Sequence, residues 1–173
     1  MKIPYLALDQ QHKKLKDELM NAVSKVLDHS MFINGEEVKQ FEKNMEKYCK
    51  VKHAVSVNSG TDALFLSLKA LNIGKKDEAI TAPNSFLATA ASIIATGAKP
   101  VFVDVKDDMN INPDLIEKAV TEKTKAIIPV HLTGKPADMK PIMEIADKHD
   151  LFVIEDAAQA IGAEYNGKKV GCI

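Results

Sequence analysis

Cysteine, charge imbalance and long apolar runs are all scarce in this sequence, and each shortage removes a class of function. The two cysteines, Cys49 and Cys172, are far apart and fit no metal-ligand spacing, so neither a disulfide framework nor a cysteine zinc site is encoded. Lys and Arg total 23 against 24 Asp and Glu, a net charge of −1, which argues against nucleic acid and against an anionic membrane surface as partners. The longest apolar-leaning run, 86–98, contains Thr89, Ser92 and Thr96 and is too short to span a bilayer. Pro4 and Asp9 interrupt the amino-terminal stretch before it could form a signal-peptide core. A soluble cytoplasmic protein is therefore expected. There is also no G-x-G-x-x-G and no P-loop lysine, so a dinucleotide or nucleoside triphosphate is poorly supported.

What is present is a regular alternation. Apolar residues at Leu15, Leu19, Ala22, Val23 and Val26, and again at Val38, Phe41, Met45 and Tyr48, predict two amphipathic helices. Short runs rich in Val and Ile then begin 22 to 26 residues apart, at 53–57, 78–82, 100–105, 125–131 and 151–155. Helical signals fill the gaps at 61–71, 85–95, 113–120, where Asn112 caps a first-turn proline, and 138–149. Strands and helices alternating at this pitch predict an α/β fold with a mostly parallel sheet and crossover helices, preceded by amino-terminal helices. The boundary is expected near 50/51, with residues 1–50 helical and 51–173 forming the sheet domain. Asn166-Gly167 predicts a tight hairpin near the end.

Ligands of an open α/β sheet bind beyond the carboxyl ends of its strands. Polar residues collect there: Asn58-Ser59-Gly60-Thr61-Asp62, Pro83-Asn84-Ser85-Phe86, Asp104, His131 and the pair Glu155-Asp156. At 59–61 a strand passes into a helix, where free first-turn amides, a glycine and a hydroxyl would cradle a phosphate. The same residues also read as an ordinary capped helix start. Asp156 and Gln159, spaced D-x-x-Q, fit a capping box as well as a ligand contact. Phe86, on the face of "FLATAASI", is of a kind that is usually core, and a strand-end histidine such as His131 is more often a hydrogen-bonded structural residue than a ligand. On a rival reading Asp104, His131, Glu155 and Asp156 gather magnesium or manganese, which leaves Ser59-Gly60-Thr61 and Gln159 without work; no metal site is assigned.

Four stretches taken in order, "MFINGEEVKQFEKNMEKYCKVKHAVSVNSGTDALFLSLKAL", "ITAPNSFLATAASIIATGAKPVFVDV", "TKAIIPVHLTGKPADM" and "VIEDAAQAIGAEYNGKKVG", resemble the DegT/StrS family of nucleotide-sugar aminotransferases. These are pyridoxal-phosphate enzymes of the aspartate-aminotransferase fold. The likeness runs over nearly the whole chain, and S-G-T-D-A-L combined with E-D-A-A-Q-A is specific. It implies that 51–173 are part of a pyridoxal-phosphate-dependent transferase-like large domain. The implied activity moves an amino group, with glutamate as the expected donor, to a keto sugar carried on a nucleotide, in a homodimer.

Residue by residue, the resemblance implies that Gly60 and Thr61 hold the cofactor phosphate, Phe86 stacks on the ring, Gln159 lies near its phenolic oxygen and Asp156 pairs with the pyridine nitrogen. Two unit charges about 4 Å apart at an effective dielectric near 20 interact by roughly 4 kcal/mol, or about three pKa units, enough to keep that nitrogen protonated. Glu155 is expected to face away, since neighbouring strand residues alternate. The resemblance puts the Schiff-base lysine beyond Ile173; Lys168 and Lys169 match the hairpin's own basic pair and are expected to be solvated. The chain alone is accordingly expected to lack transaminase activity. Sugar dehydratases of the same family, and truncated or regulatory members without catalysis, stand as alternatives.

Overall fold

The computed structural model describes residues 4–173; residues 1–3, the start of the stretch read against a signal peptide, lie outside the described residues. The chain divides into two compact units, Met1–Ser56 and Val57–Ile173.

The first unit holds α1 (Leu8–His29) and α2 (Glu36–Cys49). Each ends in a left-handed residue, Ser30 at φ 56° and Lys50 at φ 57°. In α2, Glu36 and Glu37 place negative charge where the helix dipole favours it. The connecting turn is tied by His29, whose Nδ1 accepts from the Met31 amide at 3.1 Å while Nε2 meets Glu37 at 3.0 Å. Beyond α2 the expectation of a strand at 53–57 is not met: the segment has no regular secondary structure and belongs to no sheet. Its Ala54 and Ser56 amides donate to the carboxylates of Glu46 and Glu42, at 3.3 and 2.7 Å, so donors a ladder would need are satisfied by side chains of α2.

The second unit is a parallel sheet between two helical layers. Its strands are β1 (Glu78–Thr81), β2 (Lys99–Phe102), β3 (Thr124–Ile128) and β4 (Phe152–Val153), in the order β2-β1-β3-β4, all parallel. α3 (Gly60–Ala70) precedes β1, and α4 (Leu87–Thr96), α5 (Pro113–Ala119) and α6 (Met139–His149) run between successive strands. Strand alternation sorts the core. Ala79, Ala126 and Ile128 pack with Leu64, Leu68 and Ile93 of α3 and α4, whereas Ile80 and Ile127 pack with Ile116, Met139, Ile142 and Ala146 of α5 and α6. Both faces are thus covered, which accounts for the continuous hydrophobicity of "AIIPV".

Asn112 caps α5 as expected, its side chain accepting from the Asp114 amide at 3.1 Å with Pro113 in the first turn. Asn166 at φ 50° and Gly167 at φ 80° turn the hairpin of β5 (Glu164–Tyr165) and β6 (Lys168–Lys169). Lys169 is not freely solvated: its Nζ donates to Glu164 Oε1 at 3.1 Å. Tyr165 ties the hairpin to α6, its hydroxyl donating to Asp138 at 2.6 Å and accepting from the Lys140 amide at 3.1 Å. The Asp138 carboxylate beside it raises the Tyr165 phenol above its ordinary value.

Candidate functional site

The rim of the sheet is built by backbone before it is furnished by side chains. Past β3 and β4 the chains stay in register for one more bridge, Val130 to Asp156. The Asp156 amide donates to Pro129 O at 2.9 Å, and its carbonyl accepts from the His131 amide at 3.1 Å. This fixes the alternation: Asp156 turns to the side of α3 and α4, and Glu155 to the other.

Gly60, Thr61, Phe86, Asp156 and Gln159 all line one cavity, together with Leu64, Ser85, Ala88, Val130 and Ala158. Its volume is about 170 Å³, below the roughly 300–1,000 Å³ of enclosed small-molecule pockets, so these residues form a wall rather than a closed chamber. On the α3 side Ser59 caps the helix, accepting from the Asp62 amide at 3.1 Å, and the Ala63 amide donates to Ser59 O at 2.9 Å. The cap and cradle readings are therefore compatible, because capping uses the third and fourth amides and leaves those of Gly60 and Thr61 toward the cavity. Gly60 lacks the positive φ that favours glycine, and a Cβ built there meets nothing within 4 Å. Neither backbone nor packing asks for a glycine at this point of the cavity wall.

Phe86 is 74% exposed at the start of α4, so the core reading of this residue is wrong. The capping-box reading of Asp156 and Gln159 also fails, since residues 157–163 form successive turns and no helix. Gln159 Oε1 instead accepts from the Thr133 amide at 2.8 Å across the rim, so its two N–H donors are left for other partners. Thr133 sits in the left-handed region at φ 54°, ψ 22°.

Glu155 and His131 form a separate buried pair, 7% and 0% exposed at their side chains. His131 Nδ1 accepts from the Ala137 amide at 3.0 Å, so the proton is on Nε2, which donates to Glu155 Oε2 at 3.0 Å. The same carboxylate accepts from the Gly171 and Ile173 amides at 2.8 and 2.7 Å. Burial pushes the Glu155 carboxyl up, but the bonds from His131, Gly171 and Ile173 outweigh it and hold the group below its ordinary value of 4.5. His131 is thus a structural histidine. The rival metal set is dispersed: Glu155 is taken by His131 and two amides, Asp156 by Thr89 and Asp104 by the Val105 amide. No three of His, Cys, Asp or Glu converge among the described residues.

Ser85 and Thr89 were not singled out as site residues in the sequence, yet they stand directly behind the acid. Thr89 Oγ1 donates to Asp156 Oδ2 at 2.8 Å and lies 3.2 Å from Ser85 Oγ. Their signal was two hydroxyls spaced i, i+4 across the turn that leads into α4. The donor set fits a phosphorylated heteroaromatic ring: two free amides and a hydroxyl at one end, an exposed aromatic ring at the mouth, and a carboxylate at the other end.

Comparison with known proteins places the chain in a family. A pleiotropic regulatory protein of Geobacillus stearothermophilus is 51% identical over 172 residues, 99% of this chain and 46% of the relative. The UDP-N-acetyl-3-dehydro-alpha-D-glucosamine 3-aminotransferase of Acidithiobacillus ferrooxidans is 49% identical over 98% of the chain and 46% of its own length. The chain thus spans about half the length of the curated relatives it matches. Among solved structures, DesV of S. venezuelae superposes with a TM-score of 0.96 at 43% identity, covering 99% of this chain and 47% of that one. Bacillus subtilis NtdA, solved with bound cofactor PMP, gives 0.92 at 39% identity over 96% and 39%. The chain has part of the α/β fold of these neighbours, and among the described residues no helix is long and apolar enough to cross a membrane. Residues 13–173 match the DegT/DnrJ/EryC1/StrS aminotransferase family, and the chain belongs to it.

Proposed function

We propose that this chain supplies one wall of a pyridoxal 5'-phosphate site in a cytoplasmic, homodimeric aminotransferase that takes its amino group from glutamate and delivers it to a keto sugar on a nucleotide. The observation that carries the reading is convergence: residues from three separate segments, 60–61, 86 and 156–159, line a single cavity whose donors and acceptor suit that cofactor. When bound, pyridoxal phosphate supplies a ring that withdraws electrons from the reacting carbon.

The chain's own residues have distinct tasks. The Gly60 and Thr61 amides and the Thr61 hydroxyl bind the phosphate at the positive end of α3. Phe86 covers the ring face and excludes water. Asp156 holds a proton at the ring nitrogen, and Gln159, its oxygen occupied by Thr133, presents N–H donors to an anionic ring oxygen. The reading assigns the Schiff-base lysine to a segment beyond Ile173, so these 173 residues bind cofactor weakly and turn over no amino acid. Neither nucleic acid nor a membrane is a partner on this reading.

Titration of the protein with pyridoxal phosphate, followed by absorbance and melting temperature, tests it. Saturable binding that D156N weakens by roughly tenfold supports the site. Absence of saturable binding, or stabilisation by magnesium alone, overturns it. The regulatory alternative draws on the name of the Geobacillus relative; it gains if the protein folds normally and ignores the cofactor.

A further inference from the structure

The direction in which the Asp156 carboxylate faces decides what it can pair with, and the buried hydroxyls behind it set that direction. Oδ2 accepts from Thr89 Oγ1 at 2.8 Å, and among the described residues Oδ1 is held only by the Ala158 amide at 3.3 Å. Thr89 is 1% exposed, so its hydroxyl has no water to turn to. A hydroxyl has one proton. Thr89 gives it to Asp156, and therefore its oxygen accepts at 3.2 Å from Ser85 Oγ. The order of donation is Ser85 to Thr89 to Asp156, each bond polarising the next toward the carboxylate. Buried and bonded on both sides, to Ser85 and to Asp156, the Thr89 hydroxyl is a fixed post.

We infer that Thr89, backed by Ser85, is a positioning residue: it locks one oxygen of Asp156 so that the other faces the cavity and meets a ring nitrogen there. The ring-nitrogen half rests on the cofactor reading above; the locking half stands on this chain alone. A bond that merely tied α4 to the sheet would contribute to stability but would not distinguish a ligand with a ring nitrogen from one without.

The test uses Thr89→Val, which keeps the shape and removes the hydroxyl, and Thr89→Ser, which keeps the hydroxyl. The first measurement is the Asp156 χ1 rotamer in the ligand-free protein, from three-bond NMR couplings. A single rotamer is expected in the native protein and in T89S, and an averaged one in T89V. The second is affinity for pyridoxal phosphate and for its analogue with carbon in place of the ring nitrogen. T89V is expected to weaken the first by roughly tenfold and leave the second unchanged, with T89S restoring the preference. An unchanged Asp156 rotamer in T89V, or equal losses for both ligands, overturns the inference. If T89V frees the carboxylate but the native protein does not discriminate between the ligands, the locking role stands and the cofactor reading fails. Should T89V not fold, Ser85→Ala is read by the same two measurements, and native behaviour in both overturns the inference.

Discussion

At Gly60 function and stability make opposite demands. Open space and an ordinary backbone mean that Gly60→Ala meets no steric obstacle, and alanine at the start of α3 lowers the entropy of the unfolded chain. The substitution is expected to stabilise the protein by about 0.5–1 kcal/mol in urea unfolding while weakening pyridoxal phosphate, because it adds a methyl to the cavity wall. A variant that gains stability and binds as before would remove the phosphate cradle from the site. Thr133 poses the converse case. A β-branched residue at φ 54° is strained, and asparagine tolerates that region. Thr133→Asn is expected to raise stability by about 0.5 kcal/mol and to keep the amide that Gln159 accepts. Gly134→Ala, at φ +90° but with no Cβ contact closer than 3.5 Å, should lose about 1–2 kcal/mol through conformation alone. Equal losses in both variants would show that the turn resists any change. Five of the residues lining the cavity, Gly60, Thr61, Phe86, Asp156 and Gln159, were legible through the family's motif. Thr89 and Thr133 were not, because their partners, Asp156 and Gln159, lie 67 and 26 positions away and only the folded rim brings them together.

Among the elements, the hairpin depends on a group outside it. Glu155 receives His131 and the two amides that follow β6, and its carboxyl is held below the ordinary 4.5. A depressed folded value means that this contribution is complete above 4.5 and is lost as pH falls through the lower folded value. Urea midpoints of the native protein should therefore fall in acid below that range. Glu155→Gln should already be weaker at neutral pH, by about 2 kcal/mol, and lack that part of the acid dependence. A parallel acid dependence in E155Q would assign the effect to other carboxylates. Elements with their own signals were read well: α5 from Asn112-Pro113, the hairpin from Asn166-Gly167, and the central strands from continuous apolar runs. The segment 53–57 was misread because alternation specifies a face and not a neighbour. Val55 is 79% exposed and the adjacent amides are held by Glu42 and Glu46. The turns after Asp156 were equally hidden, since a D-x-x-Q spacing does not reveal that Gln159 is engaged across the rim.

For the molecule as a whole, the question is what covers the first unit. Neither α1 nor α2 buries a single residue. Along α1, Leu15, Leu19, Val23 and Leu27 stand at i, i+4 spacing, and all are exposed, as is Phe41 of α2. A stripe of this kind is what a surface helix normally turns to a core, and at roughly 25 cal/mol per Å² it is costly to leave in water. A second copy of the chain is the partner proposed for it. Sedimentation velocity is expected to find a dimer at micromolar concentration and above. The double change Leu19→Glu and Val23→Glu should shift the protein to monomer while its circular dichroism and the hydrogen-exchange protection of β1 and β3 stay native, because the second unit has a core of its own. A native protein that sediments as a monomer at every accessible concentration would mean that the stripe is covered by something other than a second copy, and the homodimer proposal would fall.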